Sequence, residues 1–184
     1  IQPAGDTALL TGENGSGKST LVDALLTLLV PNVKRNYNQS AGNGRRERSE
    51  YTYMRGAYGR LQADEGYSAH VQYLRDKNSY AVLLAHFHND GYDQDVTLAQ
   101  VFWLTDSIKK FHVVATCPLT IQEHFSGFET MKELKTRLRN IKGVSVEDQF
   151  NRYSQQFRKL FGLRSDKALD LFNQTVTIKE IGEL

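Results

Sequence analysis

The sequence predicts an α/β chain in three parts: a strand, glycine-rich turn and helix; then a sheet; then a helical C-terminal region. Three observations predict it. A nearly continuous apolar run, Thr7–Thr11, stops at Gly12 and is followed by apolar residues at helical spacing. Four β-like stretches separated by turn residues fill the middle of the chain. Beyond Glu129 the apolar residues recur with a helical period, interrupted only by glycines.

The elements follow in order. Thr7–Thr11 (TALLT) has the continuous apolar character of a buried strand in a mixed or parallel sheet. From Gly17, the residues Leu21, Val22, Ala24, Leu25, Leu28 and Leu29 place an apolar stripe on a helix. Pro31 closes it, because the residue before a proline is pushed out of the helical region. Residues 32–50 hold Asn, Gly, Ser and Arg with almost no apolar anchor, and read as a long exposed loop. The stretches Ser68–Leu74, Ser79–His88, Val96–Leu104 and Lys109–Thr116 read as strands. Their short separators, notably Asn89-Asp90-Gly91 and Thr105–Ser107, suit antiparallel neighbours and predict a β-meander. Pro118 ends the strands, and helices are expected over Glu129–Ile141, Val146–Phe161 and Ser165–Phe172, with Gly143 and Gly162 as stops. The organisation is therefore 7–31 strand, turn and helix; 32–60 basic loop; 61–117 antiparallel sheet; and 118–184 helical region.

Composition narrows the class. With 184 residues, 40% hydrophobic and 24% charged, the chain suits one globular domain with a real core. No apolar run approaches the roughly 18–20 residues of a membrane span; Ala24–Val30 and Tyr80–Phe87 are core-sized. The single Cys117 cannot form an internal disulfide, no metal-type Cys/His spacing occurs, and a reducing, cytoplasmic setting is expected. His70, His86, His88 and His112 fall in expected strands. His86 and His88, two apart, invite a metal reading but lack a third ligand and read as structural. Trp103 reads as core, and Lys132–Lys142 as the polar face of a helix. Net charge is +2, yet Lys34, Arg35, Arg45, Arg46, Arg48, Arg55 and Arg60 against Glu47 and Glu50 make residues 34–60 a +5 strip on a −3 body.

The chemistry sits in Gly12-Glu13-Asn14-Gly15-Ser16-Gly17-Lys18-Ser19, which fits G-x-x-x-x-G-K-[ST], the phosphate-binding loop. Glycines let successive backbone N–H groups turn inward onto phosphate oxygens. The helix that follows adds the partial positive charge of its N-terminus. Lys18 would meet the β- and γ-phosphates, and the Ser19 hydroxyl would bind Mg²⁺. Hydrolysis also requires an acid at the end of a second strand. Asp106, closing Val101-Phe102-Trp103-Leu104-Thr105, is the best look-alike, but it reads more readily as a hairpin strand ending in a turn.

GENGSGKSTLVDALLTLLVP closely resembles the first motif of ABC-type ATPase heads in the SMC, Rad-fifty-like and RecF-like group, including the Asp23-Ala24 pair. Asn43–Arg60 (NGRRERSEYTYMRGAYGR) and Phe172–Leu184 (FNQTVTIKEIGEL) resemble more narrowly the MukB-like SMC subunit of bacterial Wadjet systems, of the JetC or MksB type. The resemblance implies a P-loop NTPase of the ABC/SMC head type, an N-terminal lobe whose helices lead to a coiled coil. Walker B acids and an LSGG-type signature do not occur in this sequence, so the expectation is an N-terminal part of a split head. By position, Asn14, Gly15, Ser16, Gly17, Lys18, Ser19 and Thr20 would hold ATP. Gln174, in the place of the Q-loop, would join Ser19 on Mg²⁺, with Gln122 or Gln149 as substitutes. Arg55 would be the arginine that reaches nucleotide. The implied partners are a second SMC head in a homodimer, the C-terminal half of the same head, kleisin and accessory subunits, and double-stranded DNA. The implied setting is nucleoid-associated, and the implied role is plasmid defence.

Lys34, Arg35, Arg45, Arg46 and Arg48 could contact DNA phosphates, or form a solvated loop that touches nucleotide or a partner head. Tyr153–Leu163 could face the coil or an accessory subunit. A self-contained P-loop kinase or switch using Asp106, and a nucleotide-gated scaffold without catalysis, remain the alternatives to an ATPase motor.

Overall fold

The computed structural model describes residues 9–13, 16–35, 49–61, 70–76 and 78–176. Its elements are α1 (Lys18–Leu29), a 3₁₀ turn (Asn32–Lys34), α2 (Glu50–Arg55), β1 (Ala57–Leu61), β2 (His70–Tyr73), β3 (Tyr80–Asn89), β4 (Gln94–Leu104) and β5 (Ile108–Ala115). After them come α3 (Ile121–His124), α4 (Met131–Arg139), β6 (Val144–Glu147), α5 (Phe150–Leu160) and α6 (Lys167–Val176). All strand pairs are antiparallel: β1 with β2 in one small sheet, and β3-β4-β5-β6 in a four-stranded sheet.

The central meander forms as its turns predict. Asn89 pairs with Gln94, the Asn89 side chain accepts from Gly91 N at 3.0 Å, and Asp93 takes a left-handed φ of 46°. Polar side chains that complete a turn in this way favour its chain reversal. β4 is buried on both faces, which explains its apolar run. Ala99 and Val101 pack with Leu134 and Leu138 of α4. On the opposite face Leu98 meets Tyr153 and Phe157 of α5, and Phe102 and Leu104 meet Met54 of α2. The period-four aromatic spacing Tyr153, Phe157, Phe161 is therefore a core stripe.

Four expectations need correction. Leu9–Thr11 are not in a strand, and Leu9 and Leu10 are exposed; a strand needs a neighbour for its backbone groups, and none among the described residues pairs with this run. The basic loop 32–60 contains α2 and β1. Ser49 and Thr52 build a capping box that starts α2 where apolar periodicity shows nothing. The predicted strand Ser68–Leu74, seen as β2, pairs with β1 rather than with the meander, so the sheet is two sheets. Finally, the C-terminal region is not wholly helical: β6 lies between α4 and α5, and α5 begins at Phe150 rather than Val146. Gly143 explains this last point. Its φ is 83°, and a Cβ there would meet Thr116 Oγ1 at 2.6 Å. It lies just beyond the end of α4 and turns the chain into β6, alongside β5.

His112 on β5 lies between Phe150 and Tyr153 with 1% of its surface exposed. Its Nδ1 faces Glu147 O at 3.3 Å, which suits a neutral ring with the proton on that nitrogen. Burial, with further opposition from Lys110 and Arg35, holds its pKa down to about 4 from the ordinary 6.5. The unfolded chain therefore takes up this proton first as pH falls. The stability is complete above about pH 6.5 and declines toward pH 4. Urea unfolding should show the wild type losing about 2–3 kcal/mol more than His112→Phe between pH 7 and 4.5. Parallel losses in the two proteins would disprove it.

Candidate nucleotide-binding site

The site grows from the glycine-rich turn. Gly12 has φ 154°, and a Cβ there would meet Ser16 Oγ at 2.7 Å. Gly17 has φ 92° at the N-cap of α1. Ser16 N donates to Glu13 O at 3.2 Å and Leu21 N to Gly17 O at 3.1 Å, so the loop closes directly into the helix. Lys18 bends back across it: Nζ donates to Gly12 O and Glu13 O, both at 2.6 Å, and lies 3.3 Å from Ser16 Oγ. One cation is thus held on the carbonyls of the glycine-rich turn, at the start of a helix whose first N–H groups lack intrahelical acceptors. Ser19 is half-buried in that turn and Thr20 is exposed. Asn14 and Gly15 lie outside the described residues.

The other end of α1 is held by a buried polar cluster that periodicity does not reveal. A helix leaves its last four carbonyls without intrahelical donors, and no glycine cap follows α1. Arg35 donates from Nη2 to Thr27 O at 2.9 Å and from Nε to Val30 O at 2.6 Å. Gln100 Nε2 donates to Thr27 O at 2.7 Å, and Tyr153 Oη to Leu28 O at 3.0 Å. These three side chains, from the end of the 3₁₀ turn, from β4 and from α5, hold the C-terminal end of α1. The only sequence signal was a glutamine inside the apolar strand β4.

Arg35 therefore requires a correction. Its side chain is 1% exposed and pairs with Glu50 at 2.7 Å, so it is a structural cation and not a DNA contact. Glu50 also pairs with Lys110, whose Nζ lies 2.7 and 2.8 Å from the two carboxylate oxygens. Burial pushes the Glu50 carboxyl up, but Lys110 and Arg35 outweigh it, and it rests below the ordinary value. Lys34 is exposed and pairs with Asp170 of α6 at 3.0 Å. Arg45, Arg46 and Arg48 lie outside the described residues.

Gln174 is corrected as well. α6 meets the chain beyond the C-terminal end of α1, where Asn173 Nδ2 donates to Lys34 O at 2.9 Å, and Leu169 packs against the same core cluster as Leu29. Ser19 lies ten residues from Leu29, about 15 Å along the axis. The exposed Gln174 is therefore not brought to Ser19. Arg55, at the C-terminal turn of α2, is committed elsewhere. Its guanidinium stacks 3.8 Å from the Tyr73 ring centroid and donates to Arg75 O at 3.2 Å. Asp106 is exposed in the β4–β5 turn, as a hairpin residue would be.

Other reactive groups are accounted for. His86 Nε2 and His88 Nδ1 converge on Asp95 Oδ1 at 2.7 and 3.0 Å, and these bonds hold Asp95 below the usual carboxylate range. Among the described residues no three ligating groups are placed to hold a metal ion. Burial pushes the Cys117 thiol up, away from the reactive thiolate. Trp103 is half-buried in a cluster with Tyr80 and Phe128. No helix among the described residues is long and apolar enough to cross a membrane.

Residues 1–44 match the family model described as the P-loop containing region of AAA domain; residues 45–184 lie outside that match. No curated protein matches the chain significantly. The match covers the glycine-rich turn and α1 together, and identifies the start of the chain as a P-loop region of the nucleotide-binding kind. The α/β architecture with antiparallel sheets is consistent with a P-loop NTPase.

Proposed function

We propose that the chain binds Mg·ATP through Gly12–Thr20 and is the nucleotide-binding part of an SMC-type ATPase head. The observation that carries the proposal is the Lys18 ammonium lying across the loop mouth, on an α1 whose first turn begins at a left-handed glycine. The carbonyls of Gly12 and Glu13 are exchangeable partners for that cation. A triphosphate offers it charged acceptors, which make stronger hydrogen bonds. The close Gly12–Ser16 approach fits a backbone cradle that any side chain at position 12 would fill.

Ser19 would hold Mg²⁺ through its hydroxyl. Mg²⁺ bound there would supply charge neutralisation for the phosphates. What these residues do themselves is grip and orient: Lys18 holds the terminal phosphates, and the N-terminus of α1 offers N–H donors. The acids that hydrolysis requires are assigned to the complementary half of the head, and the signature to a second head. Within this reading the body acts on double-stranded DNA, with Arg45, Arg46 and Arg48 as the phosphate contacts and kleisin and accessory subunits as partners. Plasmid defence of the MukB-like Wadjet type is the narrower proposal, carried by the resemblance of Asn43–Arg60 and Phe172–Leu184.

Calorimetric titration with ATP tests the site directly. The expected result is Mg²⁺-dependent binding by these 184 residues without turnover, and turnover once a complementary half is supplied. Robust hydrolysis by the 184 residues alone would favour a self-contained enzyme. Absence of nucleotide binding would remove the site altogether.

A further inference from the structure

We propose that Tyr53 is a positioning residue for the nucleotide site, carried on α2 as on a clamp. The inference rests on the Mg·ATP reading above. Tyr53 Oη donates to Thr20 O at 2.9 Å, and Thr20 directly follows the Mg²⁺-ligand candidate Ser19. Among the described residues no side chain caps the first turn of α1. Its N-cap is Gly17, and no acid lies in that turn. The turn that must present Lys18 and Ser19 is therefore held from outside by a phenol on another element.

α2 is fixed well enough to carry that phenol. Ser49 and Thr52 cap its start. Glu50 ties it to Arg35 and to Lys110 on β5. Met54 is buried against Phe102 and Leu104, and Arg75 Nη1 donates to Met54 O at 2.9 Å. Through Arg35 and Tyr53, α2 touches both ends of α1. Such a contact acts by preorganisation: ligand then meets a turn already in its binding geometry.

The Tyr53→Phe variant removes only the hydroxyl. Two measurements on the same protein decide the matter. Amide hydrogen exchange without ligand should rise about fivefold at residues 21–23, while residues 26–29 stay unchanged. Calorimetry should show Mg·ATP binding about fivefold weaker, with a smaller loss in EDTA because the Ser19 hydroxyl is then idle. Unchanged exchange at 21–23, a uniform rise along α1, or equal affinity losses with and without Mg²⁺ would overturn the role. A wild-type chain that bound no nucleotide would overturn the site and this role together. A wild-type chain that binds ATP while Tyr53→Phe matches it would overturn the role alone.

Discussion

Replacing Lys18 with alanine is expected to weaken Mg·ATP binding by on the order of 100-fold. The ammonium is the one side-chain cation described at the loop mouth, with Gly12 O and Glu13 O both 2.6 Å away. In complex it would make charge-assisted hydrogen bonds to phosphate oxygens, each worth about 1.5–3 kcal/mol. Two such bonds at the low end already exceed 100-fold, since about 1.4 kcal/mol is tenfold. The fold should be spared, because the lost bonds join neighbours within one turn. Calorimetric titration beside a thermal melt checks both halves. Affinity within threefold of wild type would show that Lys18 does not hold phosphate.

Arg35→Ala is expected to cost about 3–5 kcal/mol of stability. It removes donors from Thr27 O and Val30 O and leaves the largely covered Glu50 with Lys110 alone. Buried acceptors and charges that lose a partner keep their desolvation cost, which is why such truncations exceed the worth of the pair. Arg35→Lys should recover only part of the loss, because a single ammonium cannot replace the planar fork that spans three acceptors. Urea unfolding at pH 7 measures both. A loss below about 1 kcal/mol, accompanied by weaker DNA binding, would restore the surface reading of this residue. Because Glu50 is held below its ordinary value of 4.5, its share of the cluster is complete above that pH and is lost as pH falls through its lower native value.

These outcomes bear on how well charge can be read along a chain. Residues 34–60 are basic as a strip, and a strip suggests a polyanion partner. Arg35 leaves that strip because its carboxylate partner is fifteen residues away, across the basic segment. Lys34 and Asp170 are joined across a still longer separation. Nothing local distinguishes a cation that will be buried from one that will face water. The same holds for Gln100, which is polar in an apolar strand because the carbonyls of α1 lie above it.

By itself the sequence determined what depends on short-range chemistry: the glycine-rich loop and the helix it opens, the hairpin turn at Asn89-Asp90-Gly91, and the helix stop at Gly162. Each needs only a few neighbouring residues, with steric limits or a period that is visible locally. The tertiary structure decided the rest. It placed β1 with β2, inserted β6, left Leu9–Thr11 out of any strand, separated Gln174 from Ser19, and set Tyr53 on Thr20. Strand partners and buried polar contacts join residues distant in sequence. Their free energy depends on desolvation and on geometry that exists only after the elements have packed.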